Sequence, residues 1–208
     1  MLAKEIVAGF LVCCLTLHLS ANIWNLIKTR HQRRWPQSSP ESKPPQTPAF
    51  ALAALGTMLF WLESLLYPLL VFSGLSSLFN SHPLQLTFPC DSWVQALGMI
   101  LTVIGYSLFS WSVIARERYA ASWGMSEEHR LVTWGPYRYV RHSSYLAYFL
   151  MILGSLFVLL NLLAAPCLIA IPGYFQVADE EEKMLLERFG EQYQQYQART
   201  GRFWPRGS

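Results

Sequence analysis

Long apolar runs and short polar segments alternate along the chain. Residues 6–27, IVAGFLVCCLTLHLSANIWNLI, form the first run and are long enough to cross a bilayer as a helix. Residues 49–79 form the second. It exceeds one crossing, so it must tilt, kink or extend beyond the bilayer. Pro68 lacks the amide that an unbroken helix uses and offers a place for a kink. Residues 93–115 form the third run, with Gly98 and Gly105 seven apart on nearly one face, a spacing suited to close helix packing. The last run, 144–178, is interrupted at Asn161–Pro166 and predicts two spans joined by a tight turn, each near the minimum length. Pro172 and Gly173 predict an irregular stretch in the second of these, tolerated where it faces protein or a cavity. The tail from Asp179 predicts an amphipathic helix broken near Gly190. The pattern as a whole predicts an all-α, multi-pass transmembrane bundle of about five spans. It carries a helical hairpin and a C-terminal amphipathic helix, in a single membrane domain over residues 1–208.

Composition sharpens this picture. Apolar residues make up 52% and charged residues 14% of the chain, well below the charge of soluble domains. Residues 35–48 are rich in Pro and Ser and read as a connector, and residues 80–92 contain no Lys or Arg. The leading run could be read as a signal peptide. Its heavier cationic flank follows it, however, at Lys28, Arg30, Arg33 and Arg34, which favours a span with an outward N-terminus. Five spans then place segments 28–48, 116–142 and 179–208 on one side, and they hold all of the chain's Lys and Arg except Lys4. The positive-inside rule makes that side cytosolic. A four-span arrangement would separate the tail from 116–142 and break the pattern.

Candidate chemistry gathers beside the hairpin. Residues 129–149, HRLVTWGPYRYVRHSSYLAYF, place Arg130, Arg138, Arg141, His129, His142 and several aromatics between apolar runs. Gly135-Pro136 sets a turn, and Ser143 or Ser144 is positioned to cap the next helix. A hairpin returns both its ends to one side, so this segment should meet Asp179-Glu180-Glu181-Glu182. The resulting pocket would suit a ligand with an α-amino group, a carboxylate and a heterocycle, and a sulfonium would sit well over Tyr or Trp rings. The plainer reading is that Arg138, Arg141, Tyr137 and Tyr139 anchor a helix end among lipid headgroups, with the acidic run a solvated helix start. Glu63, inside the second run, is a functional candidate or a carboxyl bonded to a neighbouring helix. His18 and Asn22, one turn apart, read as an interhelical hydrogen-bond pair. Cys13, Cys14, Cys90 and Cys167 show no metal or redox spacing and predict no disulfide framework. The sequence holds no zinc signature, Walker loop or G-x-G-x-x-G, and no feature directs it to nucleic acid or a metal.

One resemblance changes the weighting. His129, Leu131-Val132, Gly135-Pro136-Tyr137, Arg141-His142 and Tyr145 are followed by Glu181-Glu182, Leu185, Phe189-Gly190, Tyr193 and Tyr196. This double motif resembles the integral-membrane methyltransferases typified by isoprenylcysteine carboxyl methyltransferase, whose pattern phospholipid N-methyltransferases and some thiol S-methyltransferases share. The resemblance covers roughly the last eighty residues, and its paired motifs are more specific than either half. It implies S-adenosylmethionine as methyl donor, bound by 116–208 on the cytosolic side while 1–115 supplies spans. It implies contacts from His129, Arg130, Leu131, Val132, Tyr137, His142, Ser143, Ser144 and Tyr145, with Glu181 holding the donor's amino group. It also implies a lipidic or small apolar acceptor arriving from the bilayer. Glu182, His129 and Glu63 are the candidate bases for an amine or thiol acceptor, whereas a carboxylate needs none.

Three positions depart from the pattern: Ser143 replaces a proline, Ala147 a glycine, and Val177 an arginine that binds substrate in isoprenylcysteine-type members. Membrane sterol reductases, which bind NADPH, resemble the first motif too. Their tails favour a Cys- and Trp-containing pattern absent here. A non-catalytic scaffold would also accommodate the three departures.

Overall fold

The computed structural model describes residues 1–29, 47–78, 84–117 and 130–206. The described residues form helices α1 (Lys4–Thr29), α2 (Pro48–Phe72), α3 (Asp91–Arg116), α4 (Ser143–Leu159), α5 (Ala170–Phe189) and α6 (Glu191–Arg199). A 3-10 turn, Gly135–Arg138, precedes α4, and a 3-10 segment, Leu162–Ile169, runs directly into α5. The chain is an integral, multi-pass helical membrane protein. Four stretches are long and apolar enough to cross: Lys4–Lys28, Pro48–Phe72, Asp91–Arg116 and Leu162–Phe189. The fifth expected crossing, Ser143–Leu159, is apolar but shorter. At most a third of the most apolar window of each long span is buried, so the remainder, including Leu17, Ile23, Leu65 and Ile100, faces outward as lipid contact.

The helix ends have local causes. Thr47 caps α2, its hydroxyl accepting from Phe50 N at 3.3 Å, with Pro48 at the first helical position. The apolar run continues to Phe79, yet α2 stops at Phe72. Ser73 caps it, and Gly74 takes φ +79°, which glycine tolerates best. The hairpin turns at Leu160, φ 47° and ψ 46°, an uncommon conformation for a leucine. Its amide bonds Leu156 O at 3.0 Å, its carbonyl accepts from Leu86 N at 2.8 Å, and Asn161 Oδ1 caps the next turn through Leu163 N at 2.9 Å.

Between lipid-immersed helices the gain comes from close van der Waals contact rather than from escaping water. Gly98 and Gly105 close the α3–α4 seam as their spacing predicts, and Gly154 joins them from α4. A Cβ on Gly98 would lie 2.7 Å from Val158 N, and one on Gly105 would lie 2.9 Å from Met151 N. Ala147, where the resembling family has glycine, is fully buried in the same seam. Gly105 supplies the missing room, since its own Cβ would meet Ala147 O at 3.0 Å. The α2–α5 seam uses Gly56 against Ala170 and Gly173 against Ala53 in the same way.

Three expectations are corrected. Pro172 and Gly173 interrupt nothing: they lie in the first turn of a regular α5, where proline's missing amide is tolerated, and Gly173 is the contact point with α2. The charged tail is not a helix of its own before Gly190. α5 carries the span through Asp179–Glu182 to Phe189, because backbone hydrogen bonding does not end where polarity changes. Gly190, φ 48°, then sets off α6. The His18 and Asn22 hydrogen bonds lie within α1 rather than between helices. Asn22 Nδ2 bonds His18 O at 2.8 Å within α1, and the His18 ring packs on Trp61 and Phe109 at centroid distances of 4.5 and 5.0 Å.

The ends of the bundle are chemically distinct. Lys28 closes α1 against Glu117, just past α3, at 3.0 Å. The start of α4 and the end of α5 meet at that same end through Arg141, His142, Glu181 and Glu182. Lys4 lies at the other end, bonded to Ser76 Oγ at 2.7 Å.

Candidate active site

The cationic end of the bundle holds a cavity of about 600 Å³, counting the space at its mouth. Its floor is the turn before α4. Gly135 adopts φ +60° and can carry no larger side chain, because a Cβ would lie 2.8 Å from Ala115 Cβ. Pro136 then starts the 3-10 turn that buries Tyr137. Arg130, Leu131 and Val132 form one wall, and His142, Ser144 and Tyr145 another. Glu181 and Leu185 come from α5, Tyr193 and Tyr196 from α6, and Arg116 and Arg141 complete the lining.

The C-terminal segment is stitched beneath the cavity. Arg141 N donates to Gly201 O at 2.9 Å and His142 N to Arg202 O at 3.0 Å. The Arg141 guanidinium donates through Nε to Glu182 Oε1 at 2.9 Å and through Nη1 to Thr200 O. Gln197 Nε2 donates to Glu182 Oε2 at 3.0 Å, and Tyr196 Oη to Tyr137 O at 2.6 Å. Phe203 packs on Phe149, Phe175 and the His142 ring. Both motif halves are thus tied together through α4, α5 and α6.

Two carboxylates divide the work. Glu181 lines the cavity and accepts from Tyr145 Oη at 2.7 Å. Glu182 points into the Arg141, His142 and Gln197 cluster. His142 lies between them, Nδ1 3.5 Å from Glu181 Oε2 and Nε2 3.0 Å from Glu182 Oε1. Burial pulls the His142 pKa down, but hydrogen bonds and charge from Glu181 and Glu182 outweigh it, and the net shift is upward. Burial holds the Tyr193 and Tyr196 hydroxyls above their ordinary range, so they stay protonated.

Of the residues expected to hold a cofactor, Arg130, Leu131, Val132, Tyr137, His142, Ser144, Tyr145 and Glu181 line the cavity. His129 lies outside the described residues. Ser143 is corrected: it is fully buried and accepts a hydrogen bond from Ser112 Oγ at 3.0 Å, so it fastens α4 to α3 rather than facing the cavity. Neither serine caps α4. His142 occupies that position without a side-chain cap bond, and the serines follow inside the helix. Among the candidate bases, Glu182 is committed to its three partners, and Glu63 is hydrogen-bonded to Cys167 within the bundle, away from the cavity lining. The anchor reading splits: Arg138 and Tyr139 are exposed, whereas Tyr137 and Arg141 line the cavity. Sequence reasoning missed Arg116 as a site residue, and it quoted Arg141, Leu185, Tyr193 and Tyr196 as motif positions without assigning them a contact. The i, i+3 spacing of Tyr193 and Tyr196 on a short helix was the available signal for the tyrosines.

The model of the isoprenylcysteine carboxyl methyltransferase (ICMT) family matches residues 97–187. This part of the chain is similar to that family. Within the family, protein-S-isoprenylcysteine O-methyltransferase of Tribolium castaneum is 30% identical over 114 residues, covering 52% of this chain and 41% of the relative. Protein-S-isoprenylcysteine O-methyltransferase A of Arabidopsis thaliana is 30% identical over 109 residues, covering 50% and 55%. The matches therefore span about half the length of these curated relatives. The solved structure of a eukaryotic intramembrane Ras methyltransferase, isoprenylcysteine carboxyl methyltransferase, shares the fold. It aligns with a TM-score of 0.55 and 22% identity over 98% of this chain and 68% of that one.

Proposed function

We propose that the chain is an S-adenosylmethionine-dependent methyltransferase of the bilayer, acting at its cytosolic face on a lipidic or small apolar acceptor. The observation that carries this reading is the shared cavity: the motif before α4 and the motif spanning α5 and α6 line one space. The donor set fits the group. Glu181 offers a carboxylate to an ammonium, and Arg130 and Arg116 offer cations to a carboxylate. The buried Tyr137 and Tyr193 hydroxyls have no partner among the described residues, which is costly unless a ligand satisfies them. Tyrosine rings in the lining suit a sulfonium and a heterocycle.

S-Adenosylmethionine supplies a methyl already activated on sulfur, so residues 116–208 have mainly to bind and orient. Tyr145 holds Glu181 by its hydroxyl, and Arg141 holds Glu182. The family match favours this reading over a reductase or a scaffold.

The relatives are named for an isoprenylcysteine acceptor. Here Val177 stands where the resembling methyltransferases carry arginine, and it is buried against Ala49 and Ala53. An acceptor carboxylate therefore finds no guanidinium at that position. The acceptor assay spans prenylcysteine, phospholipid amines and apolar thiols, read by radiolabelled methyl uptake. Calorimetric titration of the detergent-purified protein with S-adenosylmethionine and, separately, NADPH tests the donor. Heat with the former alone is the expected result; binding of NADPH alone overturns the assignment.

A further inference from the structure

His142 faces an acceptor on each side. Its Nδ1 lies 3.5 Å from Glu181 Oε2, and its Nε2 lies 3.0 Å from Glu182 Oε1. An ionised carboxylate only accepts, and a neutral imidazole has one N–H to give. The Nε2 contact is at hydrogen-bond distance and the Nδ1 contact at ion-pair distance, and the imidazolium suits both. The ring is also fixed in plane: it stacks on Tyr145 with an interplanar angle of 5°, and Tyr145 Oη donates to the same Glu181 at 2.7 Å.

We propose that His142 is a positioning residue that bridges Glu181 and Glu182 as an imidazolium in the ligand-free protein. It gives up a proton when a cationic group takes Glu181, so that occupancy of the cavity is coupled to proton release. The coupling rests on the reading of this cavity as an S-adenosylmethionine site.

The surrounding charges set its sign. The carboxylates facing the ring are Glu181 and Glu182 of α5. The cations nearby are Arg141, which precedes it, Arg202 of the C-terminal segment, 3.8 Å from Glu182, and Arg116 at the end of α3. The titratable neighbours are Tyr145 of α4 and Tyr193 and Tyr196 of α6, all sharing the cavity. Arg141 and Gln197 already satisfy Glu182, so the charge that needs the imidazolium most is Glu181. An ammonium arriving at Glu181 takes over that role and repels the charged ring. The proton is then lost from Nδ1, while Nε2–H stays bonded to Glu182. The balance is one proton from the imidazolium to solvent, with no other bond made or broken. Linkage gives the direction: a ligand whose binding releases protons binds more tightly as pH rises.

Two measurements test this on the whole 208-residue chain in nanodiscs. First, 15N spectra of histidine-labelled, ligand-free protein at neutral pH should show one ring protonated at both nitrogens, its signal absent from His142→Asn. A neutral His142 ring overturns the proposal. Second, S-adenosylmethionine is titrated calorimetrically in buffers of different ionisation enthalpy. Release of up to about one proton per ligand is expected, with affinity rising up to about tenfold per pH unit across the linked window. Glu182→Gln, which keeps an acceptor for Nε2–H but removes the second negative charge beside the ring, should shrink the release. Buffer-independent heats with normal binding overturn the coupling and leave the methyltransferase reading intact. Absence of binding at every pH overturns both.

Discussion

At the scale of single residues, the cavity depends on Glu181 remaining a carboxylate. Glu181→Gln keeps its shape and its bond to Tyr145 but removes the charge offered to an ammonium. A charge-assisted contact is worth roughly 1.5–3 kcal/mol, so S-adenosylmethionine affinity should fall at least about tenfold. Calorimetry on the purified variant reads this directly, and unchanged affinity would reduce Glu181 to a helix carboxylate. His142 makes a second prediction, on stability. Its pKa is raised from an ordinary 6.5 because its carboxylate partners outweigh burial. The bridge therefore contributes fully below the unfolded value and is lost as pH rises through the folded one. The thermal midpoint of the wild type should decline over that rise, while His142→Asn should show no step there. Residues also mark the limit of what the chain alone reveals. Ser143 and Ser144 are neighbours of one type, and only the rotational phase of α4 decides that Ser144 faces the cavity and Ser143 faces Ser112. That phase is set by packing against α3, which no local pattern encodes.

At the scale of helices, the legible part was what hydrophobic length and glycine spacing determine. The apolar runs became helices, and Gly98 and Gly105 became the α3–α4 contact, because lipid-exposed backbone must satisfy itself and close approach needs missing side chains. The boundary of α5 was not legible. The acidic run from Asp179 looks like the end of a span, yet Glu181 and Glu182 are held inside the protein by Tyr145 and Arg141 from distant parts of the chain, and exposed Asp179 pairs with Arg202. The seam itself is testable. Gly98→Ala would push a methyl to within 2.7 Å of Val158 N, and backbone cannot move aside as a flexible side chain would. A loss of roughly 1–3 kcal/mol is expected, as for overpacking elsewhere. Gly9→Ala in α1, where a Cβ would meet nothing within 4 Å, should cost nothing and serves as the control. Thermal unfolding of both variants in one detergent makes the comparison, and equal midpoints would mean that the α3–α4 contact is looser than described.

At the scale of the whole molecule, the cytosolic placement proposed for the cavity requires an odd number of crossings joined to an asymmetry of charge. α4 is shorter than the other spans, so the arrangement rests on its geometry as much as on its length. The helix begins beside the α5 carboxylates and ends at Leu160, whose carbonyl bonds Leu86 on the approach to α3. It therefore runs from the end of the bundle that holds the cavity to the end that holds Lys4. Cys90, exposed just before α3, and Arg206, exposed beyond α6, should then lie across the bilayer from each other. The check is a membrane-impermeant maleimide applied to sealed vesicles of known orientation. With Cys13, Cys14 and Cys167 replaced by serine, Cys90 should react only from the outer face. With Cys90 also replaced, Arg206→Cys should react only from the cytosolic face. Reaction of both from the same face would mean that α4 fails to cross. Arg141 would then be parted from Glu182, and the shared cavity could not form.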